Sequence, residues 1–241
     1  MLTKSIPSMF TVGNLFLGII AIILAFNGKA ELAAIMVIVA MLMDGLDGRV
    51  ARALNAQSDF GRELDSLSDI ISFGVAPAFI VYVVAFQEFN AAASWIVTAL
   101  FPICGALRLA RFNVVSTTPG YFIGLPIPAA GGILCTLALF HKELSPVVVM
   151  ISSVLLAYLM ISKVKYPSFK KVSIPRTAIW VTPIIAAIAV VLAIAFPGPL
   201  SKMLFIPLVL YALYGLKKND RLLPRRKAAK SIPEEPANSE T

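Results

Sequence analysis

Apolar residues are grouped in long blocks broken by short polar segments, with no sustained strand-like alternation. Blocks long enough to cross a bilayer, about 17–25 residues each, fall near 8–26, 31–54, 62–86, 92–114, 123–141, 145–162, 177–196 and 200–216. The pattern predicts eight transmembrane helices. The fifth block holds Pro126, Pro128, Gly131 and Gly132. Its first turn is expected to be irregular, which is tolerated where neighbouring helices re-satisfy the backbone. The first block follows Lys4 and has the outline of a signal peptide. No small-residue cleavage site follows it and more spans come after, so it reads as retained. No internal repeat points to an inverted-repeat transporter.

Composition sharpens the class. Of 241 residues, 59% are hydrophobic and 14% charged, against roughly 25% charged in an ordinary soluble domain. Mean hydropathy is +0.86. These values exclude a water-soluble globule, a disordered chain and a coiled coil, and they predict an all-α, polytopic membrane bundle.

The formal net charge of +8 invites a nucleic-acid partner, but its distribution argues against one. With the N-terminus in the cytoplasm and alternating spans, only Lys29, Lys142 and Lys202 of the 21 Lys and Arg fall outside. The remaining basic residues meet the cytoplasmic face, a strong positive-inside bias that an odd number of spans would spoil. Both termini are therefore expected in the cytoplasm, with membrane lipids as partners. The segment 217–241 is basic, then acidic and Pro-rich, and reads as a disordered cytoplasmic tail behind a transmembrane domain at 1–216. Cys104 and Cys135 lie inside apolar blocks and read as packing thiols. His141 is isolated in a hydrophilic gap, which removes His-dependent triads and multi-His metal sites.

The informative stretch runs from Asp44 to Asp69. Asp44, Asp47 and Ala51 stand at i, i+3 and i+7 and form one helical stripe. Gly61, Asp65, Asp69, Ser72 and Ala76 form a second. Asn55 and Ser58 are turn formers in the short segment between, so the two helices are expected to be antiparallel neighbours with facing stripes. The small residues Gly48, Ala51 and Gly61 leave room there. Carboxylates at membrane depth are costly and usually functional. Four together repel unless cations neutralise them, and hard oxygen donors suit Mg²⁺, Mn²⁺ or Ca²⁺ rather than zinc. Two such ions stabilise a phosphoryl centre under in-line attack. Arg52, with Arg49 and Arg62 near it, can add positive charge toward phosphate. The residues by themselves point to a divalent-metal site at the cytoplasmic membrane face that handles a phosphate compound.

From Asp44 to Asp69 the chain matches, at every fixed position, the signature D-x2-D-G-x2-A-R-x8-G-x3-D-x3-D. It therefore resembles the CDP-alcohol phosphotransferases. Within that family it is similar to the integral-membrane phosphatidylserine synthases, through Ser68-Asp69-Ile-Ile-Ser72-Phe73-Gly74-Val-Ala-Pro77-Ala78, Gly105-Ala-Leu-Arg108-Leu-Ala-Arg111-Phe112-Asn113, Gly124-Leu-Pro126-Ile-Pro128-Ala129 and Lys165-Tyr166-Pro167. The likeness extends to about Leu216. It implies a six-helix catalytic core, two bound divalent cations (Mg²⁺ or Mn²⁺) and a homodimer. The implied activity is transfer of the phosphatidyl group of CDP-diacylglycerol, or of an archaeal ether-lipid analogue, to the hydroxyl of L-serine, giving phosphatidylserine and CMP.

The resemblance also implies roles. Asp44, Asp47, Asp65 and Asp69 are the metal ligands, and Asp69 doubles as general base. Gly48, Arg52 and Gly61 line the CDP-lipid pocket. Thr11 and Asn14 resemble nucleotide-side residues, with helix–helix hydrogen bonds as the alternative reading. Serine needs a cation for its carboxylate. Arg108 and Arg111, with Asn113 close by, are candidates, and membrane anchoring or lipid-phosphate pairing is the alternative for them. Glycerol phosphate or inositol phosphate remains open as the acceptor, though a phosphorylated acceptor needs a denser basic pocket. A divalent-cation transporter is the competing class. It predicts acids continuing outward along spans two and three, whose outer halves carry none facing this cluster.

Overall fold

The computed structural model describes residues 2–114 and 121–167. The expected spans at 177–196 and 200–216, and the tail 217–241, lie outside the described residues. The elements in order are α1 (Leu2–Phe26), α2 (Ala30–Ala53), α3 (Asp59–Asp69), α4 (Ala76–Val81), α5 (Ala91–Val114), β1 (Tyr121–Ile123), α6 (Ile127–Leu139), α7 (Pro146–Ile161) and β2 (Lys165–Pro167). Helices α3 and α4 belong to one continuous helix over Asp59–Phe86. Two wider π turns interrupt it, at Ile70–Val75 and Tyr82–Phe86. Six helices thus stand where the apolar blocks predicted them, in an all-α membrane protein.

Three of these are long and apolar enough to cross a bilayer: Pro7–Phe26, Asp59–Phe86 and Ala91–Val114. Helix α2 has the length, but its last three turns carry Asp44, Asp47, Arg49 and Arg52. Helix α6 is the larger departure from expectation. It has 13 residues, so it rises about 20 Å at 1.5 Å per residue, short of the roughly 30 Å hydrocarbon core. The irregular start expected from its prolines takes a defined form, a two-stranded antiparallel ribbon. Phe122 pairs with Tyr166 and Ile123 with Lys165. Gly124 follows at φ +80°, and a Cβ there would collide with the carbonyl oxygen of Met160. Only glycine meets both demands without strain. The Gly124 N–H then donates to Val164 O at 2.8 Å and that of Leu125 to Leu159 O at 3.1 Å. The ribbon thereby ties the start of α6 to the end of α7. No periodicity in three-residue strands announces such an element.

The first π turn has a chemical cause. Pro77 lacks the N–H that would bond the carbonyl four residues back, and its ring crowds that carbonyl. The carbonyl belongs to Phe73, in the middle of the turn. The helix widens there, and Gly131 of α6 packs against the group: a Cβ on Gly131 would lie 2.5 Å from Phe73 O.

Packing follows membrane rules, in which small residues let helix backbones approach. Ala21 and Ala25 of α1 and Ala33, Ala34 and Ala40 of α2 are fully buried, where these two helices run together. The opposite face of α1, with Met9, Val12, Phe16, Ile19, Ile23 and Phe26, is exposed, as suits a lipid-facing surface. Farther along, Phe73, Ile80, Phe101, Ile127, Leu134, Met160 and Tyr166 form a core shared by the long third helix, α5, α6, α7 and the ribbon.

Candidate active site

The acids reach one place because two helix ends are fixed by local chemistry. Helix α2 closes with Leu54, and Asn55 turns the chain at φ +49°, a left-handed conformation that Asn accepts better than most residues. Ser58 then caps α3, its hydroxyl oxygen accepting from Gly61 N at 3.0 Å. Both residues act as the turn formers they were expected to be. Asp44 and Asp47 are i, i+3 on α2, and Asp65 and Asp69 are i, i+4 on α3, so each pair faces one way.

One carboxylate oxygen from each of Asp44, Asp47 and Asp65 lies within 4.8 Å of the other two. The Asp44 carboxylate also makes side-chain contact with Asp69. Asp47 and Asp69 are buried. Asp65 Oδ1 is buried without a hydrogen-bond partner. A cluster of hard oxygen donors with an unused lone pair fits a divalent cation of the Mg²⁺, Mn²⁺ or Ca²⁺ kind, and its donor set holds none of the His or Cys that zinc favours.

The facing of α2 and α3 is less direct than expected. Helix α1 packs along both and forms their common wall. Between them opens a cleft of about 810 Å³. Its walls include Thr11 of α1, Asp47, Gly48, Ala51 and Arg52 of α2, and Gly61 and Asp65 of α3. Gly48 lies beside the Arg52 guanidinium, where a Cβ would make ordinary contact 3.5 Å from Arg52 Nη1. Arg62 also lines the cleft and pairs with Asp59 at 3.1 Å.

Sequence reasoning missed Ser8, Gln57 and Ser58 as lining residues. Ser8 carries no local signal for it, since it reaches the cleft only once α1 docks beside the α2–α3 turn, in which Gln57 lies. Thr11 does line the cleft, but its hydroxyl donates to Asp47 Oδ2 at 2.9 Å. Asn14 lies behind, fully buried, its Nδ2 donating to Asp69 Oδ1 at 3.5 Å. Thr11 and Asn14 thus make the helix–helix hydrogen bonds of the alternative reading, and these bonds end on the acids themselves.

The three residues expected near serine are elsewhere than the cleft lining. Arg111 donates from Nη1 to Ile161 O at 3.0 Å and from Nη2 to Ser162 O at 3.4 Å, on the last carbonyls of α7. Asn113 donates to Ser66 Oγ at 3.0 Å and to Glu63 Oε2 at 3.3 Å, on the outer side of α3. Arg108 is buried in α5, its guanidinium carbon 6.0 Å from the centre of the Phe112 ring.

Comparison with known proteins agrees with this geometry. The family model described as CDP-alcohol phosphatidyltransferase matches residues 4–195. The CDP-diacylglycerol–serine O-phosphatidyltransferase of Helicobacter pylori (strain ATCC 700392 / 26695) is 39% identical over 218 residues, which cover 87% of this chain and 89% of that protein. The enzyme of the same name from Bacillus subtilis (strain 168) is 42% identical over 167 residues, or 69% of this chain and 92% of that one. An archaetidylserine synthase from Methanothermobacter thermautotrophicus is 40% identical over 169 residues, 68% of this chain and 70% of its own.

Proposed function

The chain belongs to the CDP-alcohol phosphatidyltransferase family, and from that premise we propose that it is a serine O-phosphatidyltransferase. It moves the phosphatidyl group of CDP-diacylglycerol, or of an archaeal ether-lipid analogue, onto the hydroxyl of L-serine. Phosphatidylserine, or its ether counterpart, and CMP are the products. The observation that carries the reading is the convergence of Asp44, Asp47 and Asp65, two of which line a cleft roomy enough for a nucleotide headgroup. The serine-specific relatives select the acceptor.

The nucleotide enters the cleft with its pyrophosphate toward the acids and Arg52. Gly48 and Gly61, without side chains, let the phosphates approach the helix backbones. Arg52 contributes a planar, charged donor to phosphate oxygen. Asp44, Asp47, Asp65 and Asp69 hold two divalent cations, Mg²⁺ or Mn²⁺, which when bound neutralise the pyrophosphate and the departing CMP.

The serine hydroxyl attacks the β-phosphorus, the one that bears the lipid. A new oxygen–phosphorus bond forms as the bond from that phosphorus to the bridging oxygen breaks, and CMP leaves with the electron pair. Asp69 accepts the hydroxyl proton, which requires hydrogen-bond reach of the hydroxyl in the loaded complex. Direct displacement is favoured over a phosphoryl-enzyme, because the site holds no histidine and the carboxylates serve the metals.

Arg108, buried in α5, is the arginine proposed for the serine carboxylate, and Arg111 holds α7 carbonyls through both Nη atoms. The protein works as a homodimer with its site at the cytoplasmic face and both termini on that side. Residues 1–216 are the catalytic membrane domain and 217–241 a tail.

The deciding assay is purified full-length protein with CDP-diacylglycerol and labelled alcohols, read as CMP release. Serine is expected to be the preferred acceptor. Preference for glycerol phosphate or inositol phosphate keeps the family and discards the acceptor. Metal uptake into liposomes without CMP release discards the enzyme in favour of a transporter.

A further inference from the structure

Helix α1 contributes a pair of hydrogen-bonded rungs to the acidic site. Thr11 and Asn14, one turn apart on its buried face, each reach an acid on a different helix, Asp47 on α2 and Asp69 on α3. In return, Ser68 Oγ donates to the backbone carbonyl of Thr11 at 3.1 Å and Ser72 Oγ to that of Asn14 at 2.9 Å. All six residues are buried. Gly18, one turn on, keeps the approach close: a Cβ there would stand 2.8 Å from Ser72 Cα.

The Thr11 rung is the tighter. Its hydroxyl has one proton and two acceptors, Asp47 Oδ2 at 2.9 Å and Pro7 O at 3.2 Å. The carboxylate is nearer and charged, and charge-assisted hydrogen bonds are the stronger kind. An aspartate on a helix otherwise turns freely about two side-chain torsions. With Oδ2 held, the carboxylate stays in the orientation that brings an oxygen within 4.8 Å of those of Asp44 and Asp65.

We infer that Thr11, which also lines the cleft, is a positioning residue for divalent-metal binding, acting through the hydrogen bond to Asp47. The inference rests on the metal reading of the acidic cluster given above. Groups that orient a metal ligand typically contribute 10- to 100-fold to affinity. Val has the shape of Thr without the hydroxyl, and Ser keeps the hydroxyl without the methyl.

The test is an Mn²⁺ titration of the purified full-length protein, followed by electron paramagnetic resonance, with thermal melts of the same metal-free samples. Thr11→Val is expected to weaken Mn²⁺ binding by about 10- to 100-fold with an unchanged melt, and Thr11→Ser to bind as wild type does. Wild-type affinity in Thr11→Val overturns the inference. So does an equal loss in Thr11→Val and Thr11→Ser, since Ser keeps the hydroxyl and the effect would then follow packing at this position and not the hydrogen bond to Asp47. If Thr11→Val does not fold, Thr11→Ala removes the same hydroxyl and is judged by the same outcomes. A wild-type protein that takes up no Mn²⁺ overturns the metal reading itself, a result distinct from any difference between variants.

Discussion

Arg111 places Nη1 3.0 Å from the carbonyl oxygen of Ile161, fifty residues further along the chain. Its second terminal nitrogen meets Ser162 O at 3.4 Å. The last carbonyls of a helix have no partner within it, and a cation at that end also complements the helix dipole. Arg111 therefore fastens the C-terminus of α7, next to the ribbon that joins α7 to α6. Arg111→Ala is expected to destabilise the protein by about 1 kcal/mol, the net worth of a hydrogen bond, since the bond to Ile161 O is exposed and that to Ser162 O is partly buried. A thermal melt in detergent checks this, and a melt like that of wild type would remove the structural role.

Arg108 separates from its neighbour in kinetics. Arg108→Lys keeps the charge but loses the planar fork. If Arg108 holds the serine carboxylate, KM for serine should rise tenfold or more, since a hydrogen bond to a charged group contributes roughly 1.5–3 kcal/mol. KM for the CDP-lipid should stay near wild type, because the nucleotide cleft is lined from α1, α2 and α3. Ethanolamine, which has no carboxylate, should gain relative to serine in the variant. The opposite pattern, with serine unaffected and the CDP-lipid weakened, assigns Arg108 to lipid phosphate.

Asp44→Asn and Asp65→Asn should each abolish turnover while the protein still accumulates in the membrane. Each turns one of three carboxylates whose oxygens converge within 4.8 Å into a neutral amide, a weaker ligand, and so removes charge stabilisation of the phosphoryl centre. Near-wild-type CMP release in either variant rules out the metal site as drawn.

Chelation should stop the reaction, and Mg²⁺ or Mn²⁺ should restore it. Zn²⁺ should restore it poorly, because the acidic cluster offers neither thiolate nor imidazole. Full activity after exhaustive treatment with EDTA would take metal out of the mechanism.

Much of this site was legible because its signals are local. Asp44 and Asp47, like Asp65 and Asp69, share helical faces by spacing alone, and Asn55 and Ser58 mark the turn between. Pro77 also carries a local signal, the loss of a hydrogen bond to Phe73 O. The six described helices follow from block length in the same way, because a bilayer demands a run of apolar residues whatever the neighbours are.

What the tertiary structure decided lies in contacts between residues far apart in the chain. Thr11 meets Asp47 across 36 positions, Asn14 meets Asp69 across 55, and Arg111 meets Ile161 across 50. Helix periodicity states which residues share a face; it does not state which face of another helix that face will meet. The alanines and Gly18 on α1 allow the close approach, but packing against α2 and the π turn selects the register. That register sets Thr11 and Asn14 on the acids. It also makes α1, rather than α3, the wall against which α2 lies. The ribbon between β1 and β2 arises in the same way, since three-residue strands have no stable pairing of their own. They form only where α6 and α7 bring their ends together.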